Sequence, residues 1–239
     1  MAGFVDLHCH WVAAVDDGVR TPADGLRLLD GLRSVGFEVV VATPHMRPGM
    51  FDNDKAALER GYRETLAALD GKPLPEVHLA SEHFFDDVVY ERLMRGEGLP
   101  YPGGKAVLVE LPPQAMPARI DARIFDLRCQ GLLPVIAHPE RYQPVWHDAD
   151  CLDVLFDAGA CLLLDLCSLV GKYGRAPQRA AEALLEDGAY SAACSDAHKP
   201  EDVADVARAL ERLRTLVGAE EADGLLGDGP RDILRGAAT

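Results

Sequence analysis

No apolar run in this chain approaches the roughly eighteen residues that cross a bilayer as a helix, so membrane insertion is not expected. The N-terminus lacks a basic segment followed by a long apolar one, so no signal peptide is expected either. Cysteine is scattered: Cys9, Cys129, Cys151, Cys161, Cys167 and Cys194 form no CxxC pair and no dense framework. That excludes zinc-finger spacing and a disulfide scaffold, and it favours free thiols in a reducing cytoplasm. Positive charge is scarce, with 24 Lys and Arg against 39 Asp and Glu and a formal net charge of −15. Nucleic-acid binding depends on basic patches that release counterions, so a nucleic-acid partner is not expected. Internal repeats and low-complexity linkers are absent as well.

What is present is an alternation of strand-like and helix-like segments. The 239 residues are 48% hydrophobic, enough for a large core in one domain. Short apolar runs occur at 4–7, 38–42, 76–80, 106–110, 133–137, 161–166 and 190–194. Their continuous apolar character suits parallel strands covered on both faces. Helical segments are predicted between them, near 54–70, 117–131, 175–187 and 200–217. An earlier one starts at a Thr21 cap with Pro22 in its first turn, carries Leu26, Leu29, Leu32 and Val35 on one face, and stops at Gly36. Repeated strand–helix units imply an α/β fold.

The residues just past the apolar runs carry the chemistry. They are His8-Cys9-His10, His45 in TPH, Ser81-Glu82, Glu110 in VELP, His138-Pro139-Glu140-Arg141, and Asp196-Ala197-His198. Run 161–166 contributes nothing so clear. In α/β barrels the carboxyl ends of the strands converge on one face, where groups from different strands meet. Residues i and i+2 of a strand point the same way, so His8 and His10 can reach one ion, while Cys9 faces the core. Each element alone has an ordinary structural explanation, a helix cap or a solvated carboxylate; their joint placement at strand ends favours a metal site. His8, His10, Asp16, His45, Glu82, Glu110, His138, Asp196 and His198 are nine candidate ligands, more than one ion uses, so two or three ions are expected. Imidazole and carboxylate without thiolate suit Mn, with Fe or Zn as alternatives.

The strings DLHCH…DDG, ATPHM, SEH, VELP, PVIAHPERY and CSDAH resemble, in this order and over nearly the whole chain, the PHP (polymerase and histidinol phosphatase) superfamily. Within it the sequence is most similar to the bacterial manganese-dependent protein-tyrosine phosphatases of capsule and exopolysaccharide operons; GPRDILRG is similar to their closing helix. The resemblance implies a distorted (β/α)7 TIM-like barrel over residues 1–239 with three ions. His8, His10, Glu82 and Asp196 would hold one; Glu82, Glu110 and His138 a second, bridged by Glu82; Asp16, His45 and His198 the third, with Asp17 as the alternative to Asp16. It also implies hydrolysis of phosphotyrosine by an acidified metal-bound water, in opposition to a bacterial tyrosine kinase.

Two departures stand out. Met46 replaces a second histidine after ATP, and the arginine that the family places several residues after the last histidine is missing: position 205 is Asp and Arg208 is the first arginine reached. Lys199 and Arg47 are candidate substitutes in substrate binding, and Arg141 is the candidate for phosphate positioning, because a guanidinium fork matches phosphoryl oxygens. Trp11 is either a stacking surface for an aromatic substrate or core. The thiolate route of other tyrosine phosphatases is excluded, since no cysteine has an arginine six positions on. Competing expectations are a phosphatase of small phosphomonoesters such as histidinol phosphate, a non-catalytic metal-binding module, and a deaminase or amidase on a similar barrel.

Overall fold

The computed structural model describes residues 3–237. Met1, Ala2, Ala238 and Thr239, which the expected domain over 1–239 includes, lie outside the described residues. In chain order the elements are β1 (Phe4–Cys9), α1 (Pro22–Ser34), β2 (Phe37–Ala42), β3 (His45–Met46), α2 (Lys55–Ala68), β4 (Glu76–Leu79) and β5 (Glu82–Phe84). Then come α3 (Asp87–Met94), β6 (Ala106–Glu110), α4 (Ile120–Cys129), β7 (Leu133–Ala137), α5 (Gln143–His147), α6 (Asp153–Asp157) and β8 (Cys161–Asp165). The chain finishes with α7 (Arg175–Glu186), β9 (Tyr190–Cys194), α8 (Val203–Val217), α9 (Ala219–Asp223) and α10 (Gly229–Arg235).

All strand pairs are parallel. β1 pairs with β2 and β2 with β4, while β3, β5, β6, β7, β8 and β9 follow one another in a second sheet. β3 and β5 continue the lines of β2 and β4 past short breaks at Thr43-Pro44 and Ala80-Ser81, so the nine strands among the described residues make seven lines of chain. A bridge between Cys9 and Ala197 then joins the end of β9 to β1. The His10 amide donates to the Ala197 carbonyl at 2.9 Å and the Asp196 amide to the His8 carbonyl at 2.9 Å. The pairings therefore close a ring of seven parallel lines. Asp6, fully buried, fastens the same seam by accepting from the Ser195 amide (3.0 Å) and hydroxyl (2.5 Å).

Helix formation follows local chemistry. Thr21 caps α1 by accepting from the Asp24 amide, with Pro22 in the first turn, and Asp54 and Asp86 cap α2 and α3 in the same way. The buried face of α1 is Gly25, Leu28, Leu29 and Leu32: Leu29 and Leu32 are buried as expected, whereas Leu26 and Val35 are only half-buried. Gly25 sets that rotation, because a Cβ there would lie 2.6 Å from the Trp11 carbonyl oxygen. Trp11 itself is core, fully buried and edge-on to Tyr62, so it offers no substrate surface.

Two apolar layers result. One lies between the strands and the surrounding helices; the other fills the ring with Val5, Leu7, Val41, Leu108, Val135 and Leu163. α10 supplies Ile233 to the inner layer, and Gly229 at its start packs so closely on the Ser191 carbonyl that a Cβ would sit 2.0 Å away. Ser191 stands near the amino end of β9, so α10 covers that end of the ring and leaves the carboxyl ends open. Among the described residues no helix is long and apolar enough to cross a membrane.

Ile233→Ala should destabilise the protein by about 2–5 kcal/mol in urea unfolding, the cost of a cavity under the ring. Metal content per folded molecule should not change, because the site lies at the opposite end.

Candidate metal centre

β3 and β5 pair with His45 directly opposite Glu82, and β5 pairs with β6 so that Phe84 lies opposite Glu110. These short strand continuations carry His45 and Glu82 into the centre of the carboxyl face. Glu82 is 1% exposed and lies among four imidazoles. Its Oε2 is 3.2 Å from His8 Nε2, 3.5 Å from His10 Nε2 and 2.9 Å from His45 Nδ1, and its Oε1 is 2.9 Å from His138 Nε2. Asp196 Oδ1 lies 3.2 Å from His8 Nε2 and 3.5 Å from His10 Nε2. His138 and Asp196 both stand just past a strand end with left-handed backbone, φ 37° and 44°, a conformation that costs a non-glycine residue stability and marks functional positions.

The charges are arranged as a tightly opposed set. Burial works to raise the Glu82 carboxyl, but His45 and His8 outweigh it and hold Glu82 well below the usual range. Glu110 moves the other way, to about 7, through burial and the neighbouring Glu82 charge. Burial favours neutral His10, yet Asp16 at 2.7 Å from its Nδ1 lifts it to about 10. His138 is pushed down to about 4 by burial and by Arg141.

Hydrogen bonding alone does not satisfy this cluster. His8 Nδ1, His45 Nδ1, His138 Nδ1, Glu110 Oε2 and Asp196 Oδ1 are buried with no hydrogen-bond partner, five of the six such side-chain atoms among the described residues. Of these, His45 Nδ1, Glu110 Oε2 and Asp196 Oδ1 face other donor atoms of the cluster without hydrogen-bond geometry, and such atoms are what cations would satisfy. Four overlapping groups have donor atoms within 4.8 Å of one another: His10, Asp17, His45 and His198; His8, His10 and Glu82; His8, His138 and Asp196; and His45, Glu82 and Glu110.

Eight of the nine sequence-predicted ligands are thus brought together. Asp16 is not among them, whereas Asp17, the alternative to it, falls in one of the groups. Asp16 Oδ2 is held by His10 Nδ1 and by the His45 amide (3.0 Å), and its Oδ1 by the Gly18 amide (3.0 Å), so it orients His10. Asp17 Oδ1 instead faces His45 Nε2 at 3.4 Å and His198 Nε2 at 3.6 Å. His198 is aimed by its Nδ1 bond to the Asp196 carbonyl (2.9 Å), and its loop is tied down by Asp202, which accepts from the His198 and Lys199 amides.

The pocket over this cluster is lined by both Arg47 and Arg141. Arg47 lies over the Phe84 ring at 3.9 Å and Arg141 over Tyr173 at 4.5 Å. Lys199 is exposed and lies outside this pocket, lining a neighbouring one with Asp17 and His198. Arg208 is exposed too, paired with Asp205 on α8. Asp165 was missed. Arg141 Nη1 reaches it at 3.4 Å and Asp196 Oδ2 at 2.5 Å, and burial with the Asp196 charge moves Asp165 up to about 7. Its signal is the end of an apolar run: β8 stops on Asp165, one residue before the end of the run at 161–166. His83, beside Glu82, belongs to the core; its Nδ1 faces the Leu108 carbonyl and its Nε2 accepts from the Leu99 amide.

A ring of parallel strands with converging imidazoles and carboxylates at its carboxyl ends defines an α/β protein built around groups able to hold metal ions. The chain belongs to the capsular polysaccharide synthesis CpsB/CapC family, whose family model matches residues 4–235. It is 29% identical over 195 residues, 81% of this chain and 77% of the relative, to the tyrosine-protein phosphatase YwqE of Bacillus subtilis (strain 168). It is 24% identical to the tyrosine-protein phosphatase CpsB of Streptococcus pneumoniae, over 96% of this chain and 98% of the relative. A crystal structure from a study of YwqE and CpsB as unique metal-dependent tyrosine phosphatases superimposes with a TM-score of 0.87 at 27% identity, covering 97% of this chain and 94% of that one.

Asp17→Ala should lower the number of ions bound per chain in elemental analysis, whereas Asp16→Ala should keep the number and weaken affinity by about 10–100-fold, the usual cost of losing a residue that orients a ligand. Metal binding should also release protons at pH 7, read by calorimetry in buffers of differing ionisation enthalpy, because a cation displaces the proton that Asp16 helps hold on His10. In the metal-free protein the raised His10 pKa contributes stability fully present below about 6.5 and lost as pH rises through about 10, so its Tm should fall across that window.

Proposed function

We propose that this chain, as one PHP-type domain over residues 1–239, hydrolyses phosphotyrosine in proteins with two to three divalent cations, Mn before Fe or Zn. The observation that carries this reading is the cluster of unpartnered histidine and carboxylate donors with two arginines at its mouth. The named relatives, tyrosine-protein phosphatases, support the substrate class. Its place would be the cytoplasm and its partner a bacterial tyrosine kinase of capsule or exopolysaccharide synthesis, whose phosphorylation it would reverse.

Cations held there would acidify a water molecule and neutralise charge on the phosphoryl group. In this proposal His8, His10, Glu82 and Asp196 would hold a central ion, Glu82 with Glu110, His45 and His138 would hold a second, and Asp17, His45 and His198 would hold a third. Arg141 and Arg47 bind phosphoryl oxygens from the mouth, the fork geometry of guanidinium matching them in pairs. Asp165 and Tyr173 hold Arg141, so little rotamer freedom is lost when phosphate arrives. The departing phenolate has a pKa near 10 and asks little of a general acid. A thiolate route does not compete: burial raises Cys9 and Cys194 well above the ordinary thiol range and Cys161 to about 12.

The test is Mn²⁺-stimulated hydrolysis of a phosphotyrosine peptide alongside histidinol phosphate. Wild type should prefer the peptide, His8→Ala should abolish turnover, Arg141→Lys should lower kcat/KM by about a hundredfold, and Lys199→Ala should stay within about twofold of wild type. Faster turnover of histidinol phosphate would overturn the substrate, and bound metal without any phosphoester hydrolysis would favour a non-catalytic module.

A further inference from the structure

The cavity over the metal cluster measures about 140 Å³, below the ~300 Å³ at which small-molecule sites begin. It has room for a charged head group, and whatever is bonded to that group must rest on its rim. Eleven residues line the cavity and nine carry ionisable side chains; the exceptions are neighbours in sequence, Met50 and Phe51. Phe51 is already committed, stacked on the His45 ring at 5.2 Å and 4°. Met50 is 60% exposed, a large apolar side chain left open beside a polar cleft.

Its position is built. Residues 47–51 form a tight turn in which the Met50 and Phe51 amides donate to the Arg47 carbonyl and the Arg47 amide donates to the Phe51 carbonyl. Gly49 takes the left-handed conformation that the turn requires, φ 83°, and its amide donates to Asp52 Oδ1 at 2.7 Å. Asn53 ties the segment to the metal cluster by donating to the His45 and Val15 carbonyls, each at 2.9 Å. Met50 is thus held on the same short segment as Arg47, which faces the head group, and as His45.

We propose that Met50 is the specificity-determining residue of this site: it forms an apolar lip that receives the aromatic ring of an aryl phosphomonoester, so that aryl substrates are selected over alkyl ones. The substrate class rests on the phosphatase reading above. A thioether against a ring edge is favourable because sulfur is polarizable, and a long unbranched side chain adapts to a ring presented at varied angles. An alkyl phosphate such as phosphoserine places only a methylene there and gains little.

Binding of phenylphosphonate and of methylphosphonate to the Mn-loaded protein, by calorimetry, separates ring from head group without turnover. Met50→Ala should weaken phenylphosphonate by about threefold to tenfold and leave methylphosphonate unchanged, while Met50→Leu should retain phenylphosphonate binding within about twofold of wild type. Of the same variants assayed on phosphotyrosine and phosphoserine peptides, Met50→Ala should show a raised KM for phosphotyrosine alone. Equal losses for both phosphonates, no loss in Met50→Ala, or no binding of either phosphonate to wild type would overturn the lip. Met50-dependent ring binding without turnover of phosphotyrosine would support the lip and overturn the phosphatase reading, so the two fail separately.

Discussion

The whole site hangs on the buried carboxylate of Glu82. It stands among His8, His10, His45 and His138 from three other lines of the ring, with almost no access to water. An ionised carboxylate in such a place is costly unless its partners are held close. Holding them there is what the ring does: the β3–β5 pairing puts His45 opposite Glu82, the β1–β9 seam brings Asp196 to His8, and β7 delivers His138. Each histidine comes from a different strand end or from the HxH pair, so displacing any one line would leave a buried charge without its counterpart.

A second set of buried acids acts on the first without joining it. Asp16 orients His10, Asp202 fixes the loop that carries His198, Asp6 bolts β1 to Ser195, and Asp165 braces Arg141. Asp202 also pairs with Lys172 at 3.0 Å. The strained backbone at His138 and Asp196 fits this arrangement, because left-handed non-glycine residues persist only where surrounding contacts over-determine them. The amino end of the ring, covered by α10, carries stability, and the carboxyl end carries chemistry.

The charge pattern resolves an apparent conflict. A protein with a net charge of −15 repels phosphate as a whole, yet its cleft presents Arg47 and Arg141 over a cluster able to hold cations. Within a cleft, local charges and low-dielectric walls govern the field more than the distant surface does. Arg141 bonds Asp196 on one side and lies over Tyr173 on the other, so its guanidinium keeps one orientation.

Residue chemistry and periodicity by themselves pointed to the parallel α/β organisation, the principal helices and eight of the residues that the fold gathers at the carboxyl ends of the strands. They could do so because apolar runs ending in histidine or carboxylate are a local signal, repeated down the chain. Tertiary structure alone decided what depends on rotation or on distant neighbours. Asp16 and Asp17 are adjacent, and only the fold shows one turned to His10 Nδ1 and the other to His45 and His198. Gly25 against the Trp11 carbonyl rotated α1 and buried Leu28 in place of Leu26. Lys199 is close to His198 in sequence, but the Asp202-capped turn leaves it outside the pocket. Met50 carries no motif, and Asp165, although it ends an apolar run, owes its role to Arg141; these are contacts that no short stretch of chain encodes.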